Sequence, residues 1–153
     1  MKRLAMLLLI VIAATLAACT IGATRTPEAE APTATPEAPP ANAVRVDVTL
    51  VDNTIESSLT TFQTGIPYTF VITNNGPHAH DFNISQPVSV VGSLDAALKG
   101  ALLVVPQKEL GPGSTATVQF TFPDSALGLK LEFSCLIRRH YDDGMMLAIT
   151  LEK

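Results

Sequence analysis

Short runs of alternating apolar and polar residues dominate the chain from Val44 onward. Val44, Val46, Val48 and Leu50 alternate with Arg45, Asp47 and Thr49; Ala116, Val118, Phe120 and Phe122 alternate with Thr115, Thr117, Gln119 and Thr121. Successive side chains of an extended chain point to opposite sides, so each run makes a strand with one buried and one wet face. A helix would scatter the same residues around its circumference. Such half-buried strands are expected to pair antiparallel. The runs are interrupted at Gly65-Ile66-Pro67, Asn74-Asn75-Gly76-Pro77, Gly111-Pro112-Gly113 and Pro123-Asp124, all turn-forming stretches. The spacing predicts an all-β sandwich over 44–153, with one short helix at Ser93 to Lys99 stopped by Gly100. A domain of that size buries roughly 65% of its unfolded surface, enough to stand without disulfides.

The first 43 residues read differently. Met1-Lys2-Arg3 is cationic, Leu4 through Leu16 are almost all apolar, and Ala17-Ala18-Cys19 follows. A charged start, a short apolar stretch and small residues at its end are the marks of a secretory signal. Leu16-Ala17-Ala18-Cys19 resembles a bacterial lipobox, which implies that 1–18 is a lipoprotein signal peptide and that cleavage leaves Cys19 as a lipidated N-terminus. Plain secretion and an uncleaved anchor are the alternatives, although the apolar run is shorter than the roughly 20 residues that cross a bilayer. Residues 19–43 carry Pro27, Pro32, Pro36, Pro39 and Pro40 and no large apolar residue beyond Ile21. Such a segment cannot bury enough surface to offset its ordering entropy, and is expected to be a semi-extended tether. The predicted order is signal peptide, lipid-anchored linker and a domain over 44–153, placed outside the cytoplasm at the cell membrane or in the periplasm. A formal net charge of -4 provides no basic footprint, so nucleic acid is not an expected partner.

With Cys19 taken by lipid, Cys135 is the one thiol left, and it cannot form a disulfide within its own chain. Alternation gives its direction: Leu129, Leu131, Phe133 and Cys135 share parity, opposite Lys130, Glu132 and Ser134. By the same count His80 shares a face with Phe82 and Ile84, while Asp81 and Asn83 face away. Leu147, Ile149 and Leu151 form an apolar face to which Met145 belongs and Met146 does not. Cys135, His140 and Met145 are separated by four residues each, after an upstream Asn75-Gly76-Pro77-His78-Ala79-His80 turn. A thiolate, two imidazoles and a weak thioether form the donor set that suits copper. Singly, an inward Cys, His or Met is more often a core residue than a ligand.

Together these motifs resemble those of the cupredoxins, the small blue copper proteins, over nearly all of 44–153. The resemblance implies a Greek-key sandwich holding one type 1 copper ion. His80, Cys135 and His140 would lie in a trigonal plane with Met145 as a long axial ligand, and His140 would be the ligand nearest solvent. Three histidines in all exclude a trinuclear oxidase centre, and a single loop cysteine excludes the purple binuclear one. His78 is read as a turn residue at the rim. The chain departs from the family pattern at Arg138-Arg139, where Pro-Gly is common, and at Asp81, where many members carry an asparagine that ties the ligand loops together. The function implied is that of a membrane-tethered one-electron carrier between redox proteins, not an enzyme. Two other readings are a module that delivers or senses copper without carrying electrons, and an accessory sandwich that retains ligand-like residues.

Overall fold

The computed structural model of the chain describes residues 42–153. The expected signal peptide, Cys19 and the expected linker up to residue 41 lie outside the described residues. No helix among the described residues is long and apolar enough to cross a membrane.

Two sheets face one another. The first has the order β2-β1-β4-β7, built from β1 (Val44–Val51), β2 (Thr54–Ser57), β4 (Pro67–Asn74) and β7 (Thr115–Thr121). The second has the order β3-β9-β8-β5-β6, built from β3 (Thr61–Gln63), β9 (Met146–Glu152), β8 (Leu131–Ser134), β5 (Phe82–Ser85) and β6 (Leu103–Val105). The alternation is realised as read: Val46, Val48 and Leu50 are buried while Arg45 and Asp47 are exposed. The pairing directions differ from expectation in two places, because β1 runs parallel to β4 and β3 parallel to β9. Alternation reports which face is buried, whereas direction depends on how the connections cross from sheet to sheet.

Six rings fill the space between the sheets. Phe62, Tyr68, Phe70, Phe82, Phe122 and Phe133 are buried in one cluster, with Phe133 packed 5.0 Å from Phe82, 5.6 Å from Phe62 and 5.8 Å from Phe70. Each such ring contributes about 1.5–3 kcal/mol by burial, and well-oriented pairs add about 0.5–1.5 kcal/mol.

The predicted helix is present as α2 (Leu94–Lys99), following α1 (Val88–Val91). Ser93 caps α2 by accepting the Ala96 N–H at 3.1 Å, and Asp95 and Lys99 suit the two ends of its dipole. A second cluster of Ala97, Leu136 and Tyr141, with Val88, Val91, Leu94 and Met146 against it, covers the face of β8 that carries Glu132 and Ser134. This corrects the parity reading of β8. Glu132 and Ser134 are buried because that face has its own apolar cover, and Leu129 is exposed because the strand starts only at Leu131, after the left-handed Gly128 at φ 79. Tyr141 Oη donates to Glu132 Oε1 at 2.8 Å and accepts the Val88 N–H at 3.0 Å. Burial holds the Glu132 carboxyl above the usual range, and the tyrosine contact partly offsets that.

Candidate metal centre

Sheet pairing alone brings three separated segments together. β5 is antiparallel to β8 with Asn83 opposite Ser134, and β8 is antiparallel to β9 with Ser134 opposite Met146. The start of β5, the end of β8 and the start of β9 therefore meet at one end of the sandwich. His80 lies two residues before β5, Cys135 directly after β8 and Met145 directly before β9. Between the last two, the loop folds into α3 (Arg138–Asp142), which carries His140. The loop is closed at its neck, where the Cys135 N–H donates to Met145 O at 3.1 Å and the Met145 N–H to His140 O at 2.9 Å.

His80, Cys135 and His140 converge. The Nδ1 atoms of His80 and His140 are 3.0 Å apart, and Cys135 Sγ is 3.5 Å from His140 Nδ1 and 3.9 Å from His80 Nδ1. Cys135 and Met145 are fully buried, His80 nearly so, and His140 is half-buried. Met145 belongs to the main core, whereas Met146 packs in the second cluster beside Tyr141, as parity required. His78 is exposed at the rim and reaches Asp52 Oδ1 at 3.1 Å.

The surroundings disfavour charge on two of these donors, Cys135 and His80. Burial pushes the Cys135 thiol up to about 12, and the nearby Asp81 carboxylate adds to that. Burial and the neighbouring His140 hold His80 below the usual histidine range. A neutral imidazole is already a ligand, but a thiol must lose its proton, so metal uptake at this site releases a proton from Cys135.

Asp81 does more than its parity suggested. Its Oδ1 accepts the Leu136 N–H and an Asn83 Nδ2–H, both at 2.7 Å, which joins the His80 segment to the residue after Cys135. Asn83 also donates to Ser134 O at 3.2 Å. An aspartate can tie the loops here because the group it meets is a backbone donor. Burial raises the Asp81 carboxyl above its usual range, and these donors pull it back.

One N–H shared between the two facing nitrogens accounts for their 3.0 Å contact, and the same three donor atoms surround a common point. A triangle with these edges has its centre about 2.0 Å from each corner, against roughly 2.0–2.1 Å for zinc–nitrogen and about 2.3 Å for zinc–thiolate bonds. The pocket therefore fits a first-row metal ion, and two imidazoles, a thiolate and an adjacent thioether fit copper among those ions. Over His140 lies an open pocket of about 360 Å³ lined by Asp52, Asn53, His78, Arg139, His140 and Asp143.

No family model and no curated protein sequence matches the chain. Its fold is similar to that of auracyanin from the photosynthetic bacterium Roseiflexus castenholzii, with a TM-score of 0.56 and 20% identity over 72% of this chain and 98% of that one. The fold is the cupredoxin fold. Auracyanin A of the green thermophilic photosynthetic bacterium Chloroflexus aurantiacus, a blue copper protein, gives 0.56 at 18% identity, over 72% of this chain and 99% of that one. An azurin of Methylomonas sp. strain J gives 0.50 at 18%, over 72% and 98%. Of the cupredoxin features expected from the sequence, the sandwich and the meeting of His80, Cys135 and His140 beside a buried Met145 are present. Asp52 at the rim was not read from the sequence, and Asp81 was read only as a departure at the position that ties the ligand loops. Asp52 meets His78 and His80, and Asp81 meets Leu136, each tens of residues away, which no local pattern records.

Proposed function

We propose that this chain holds one type 1 copper ion between His80, Cys135 and His140, with Met145 as the weak axial donor, and that it carries single electrons between redox proteins outside the cytoplasm. The observation that carries this reading is the largely buried triangle of two imidazole nitrogens and one sulfur with edges of 3.0–3.9 Å, set against a fully buried methionine. When bound, the copper supplies a one-electron couple. The chain supplies a rigid frame for it: Cys135 and Met145 are fixed by strand ends, His140 by a closed helical loop, and Asp81 locks the two ligand segments together. His140 is the half-buried member of the set and lies under the open pocket, so a partner protein docks there, beside Arg139, Asp52 and Asp143.

Titrating the purified full-length chain in detergent with Cu²⁺ tests the reading. An intense blue charge-transfer band and reversible voltammetry are expected. Tight binding of colourless Cu⁺ with poor reversibility would replace electron carriage by copper delivery or sensing, and the half-exposed His140 is the feature that favours this second reading, because it gives an incoming ion a path to the site. Binding of no metal would overturn both.

The methionines separate the axial donor from its neighbour. Met145→Leu nearly conserves volume, so the fold loses less than about 1.5 kcal/mol. Copper stays bound while its potential rises, since a lost thioether donor disfavours the cupric state; Met146→Leu changes the potential little. Voltammetry of both variants decides, and a sensitive Met146 would remove Met145 from the site.

Membrane tethering through Cys19 is part of the same proposal. An acyl chain contributes about 0.8 kcal/mol per buried methylene, and the linker offers no other apolar anchor. Cys19→Ser is expected to move the protein out of the membrane fraction. Retention with the signal still attached would point to an uncleaved helix instead.

A further inference from the structure

The tip of the β1–β2 hairpin reaches the candidate centre through Asp52, a residue in no ligand motif. Asp52 and Asn53 alone join the strands, with Val51 paired to Thr54 and Asn53 left-handed at φ 60. Because β1 runs parallel to β4 with Leu50 opposite Asn74, and the Asn75 N–H donates to Leu50 O at 2.8 Å, the tip lies beside the turn that leads to His80. Gly76 permits that approach. A Cβ at this buried position would sit 2.9 Å from Asp52 Oδ1, 3.2 Å from Asp52 N and 3.3 Å from Asn74 Oδ1, closer than ordinary packing allows. The 2.9 Å contact is to a side-chain end that can swing, but the 3.2 Å one is to the Asp52 backbone, next to the β1–β4 pairing, and the Gly76 N–H is itself bonded to Asn74 Oδ1 at 2.9 Å.

His80 presents a matching need. Its Nδ1 faces Cys135 and His140, so a metal on that nitrogen places the ring proton on Nε2. Nε2 is buried and has no hydrogen-bond partner. An orphaned buried donor costs about 1–3 kcal/mol, a strong reason for an acceptor to approach. Asp52 Oδ1 lies 3.6 Å away, just beyond hydrogen-bond length, on a side chain that is 39% exposed and free to close a few tenths of an ångström. The same oxygen is shared with the rim residue His78, at 3.1 Å.

We propose that Asp52 is a positioning residue for the metal centre: its carboxylate accepts the His80 Nε2–H when Nδ1 binds metal, fixing the tautomer and the ring plane and adding negative charge behind the ligand. A carboxylate behind a ligating histidine typically governs 10–100-fold in metal affinity. The inference rests on the reading of His80 as a ligand. It also gives His78 a role as the second, solvent-side partner of Asp52, rather than a ligand.

The test uses the full-length chain with Zn²⁺ alone, followed by calorimetry and ¹⁵N NMR, and with copper, followed by voltammetry. Asp52→Ala is expected to weaken Zn²⁺ binding about 10–100-fold and to remove the slowly exchanging His80 Nε2–H resonance. Asp52→Asn keeps an acceptor oxygen but loses the charge, so it is expected to retain affinity within a few-fold and to raise the copper potential. An Asp52→Ala protein that binds Zn²⁺ as tightly as the wild type, with the same potential, overturns the role of Asp52 and leaves the copper site standing. Failure of Asp52→Asn to rescue affinity overturns it as well, since the amide oxygen can still accept. A wild-type chain that binds neither ion removes the metal reading itself, and the proposal with it.

Discussion

Cys135→Ser is expected to abolish the blue absorption and to weaken copper binding by more than the about 100-fold that loss of a supporting group costs, while the sandwich stays folded. The colour belongs to the thiolate, and a serine hydroxyl neither carries that transition nor loses its proton at neutral pH. The fold survives because the exchanged atom is small and the surrounding cover, Phe82, Phe133 and Met145 included, is unchanged. Burying a hydroxyl where a thiol stood costs about 1–3 kcal/mol, visible as a lower melting temperature of the metal-free protein. The bland reading of Cys135, a small core hydrophobe, predicts the stability loss alone. Absorption spectra, a copper titration and a thermal melt therefore separate the two: a serine variant that remains blue would exclude Cys135 from the site. The thiol, pushed up to about 12 in the metal-free protein, also predicts proton release when the wild type takes up copper and none in the variant.

The parts of this centre that strand parity can reach were legible in the sequence. Cys135, His80 and Met145 each extend an alternating run, and a period of two assigns them to the core side without knowledge of any partner. His140 was read from its spacing and the family resemblance, since the loop that holds it has no alternation. Parity failed where a strand ended or a face had its own cover. Leu129 lies before β8 rather than in it, and Glu132, Ser134 and Asn83 are buried although they point away from the main core. The helical turn α3 was not foreseen, because nothing in Arg138–Asp142 announces it: Ile137 at its start provides no side-chain cap. It forms because the Cys135–Met145 neck closes the loop and Tyr141 is pinned between Glu132 and Val88. The parallel pairs β1–β4 and β3–β9 were equally hidden, since direction is a property of connections and not of runs.

Asp81 yields two different results according to what replaces it, and the difference separates its charge from its hydrogen bonds. Asp81→Asn retains an oxygen that can accept the Leu136 N–H and the Asn83 amide, so the tie between the ligand segments survives and only the charge is lost. A carboxylate beside the ligands favours the cupric over the cuprous state. Two unit charges about 7 Å apart at an effective dielectric near 20 interact by about 2 kcal/mol. For a one-electron couple about 1.4 kcal/mol corresponds to about 59 mV, so the potential of the asparagine variant is expected to rise by tens of millivolts, with a ceiling of about 90 mV. Asp81→Ala removes the tie as well. It leaves two donors without their acceptor, each costing about 1–3 kcal/mol, and frees the residue after Cys135 from the His80 segment. A large loss of stability and a broadened, weaker copper site are expected for alanine and not for asparagine. Voltammetry at neutral pH and low salt, with thermal melts of the metal-free proteins, reads both effects. An unchanged or lowered potential in the asparagine variant would mean that the charge is compensated, most simply by Arg138 or Arg139 on the same loop; equal stability of the two variants would mean that the 2.7 Å contacts to Leu136 and Asn83 do not hold the loops together.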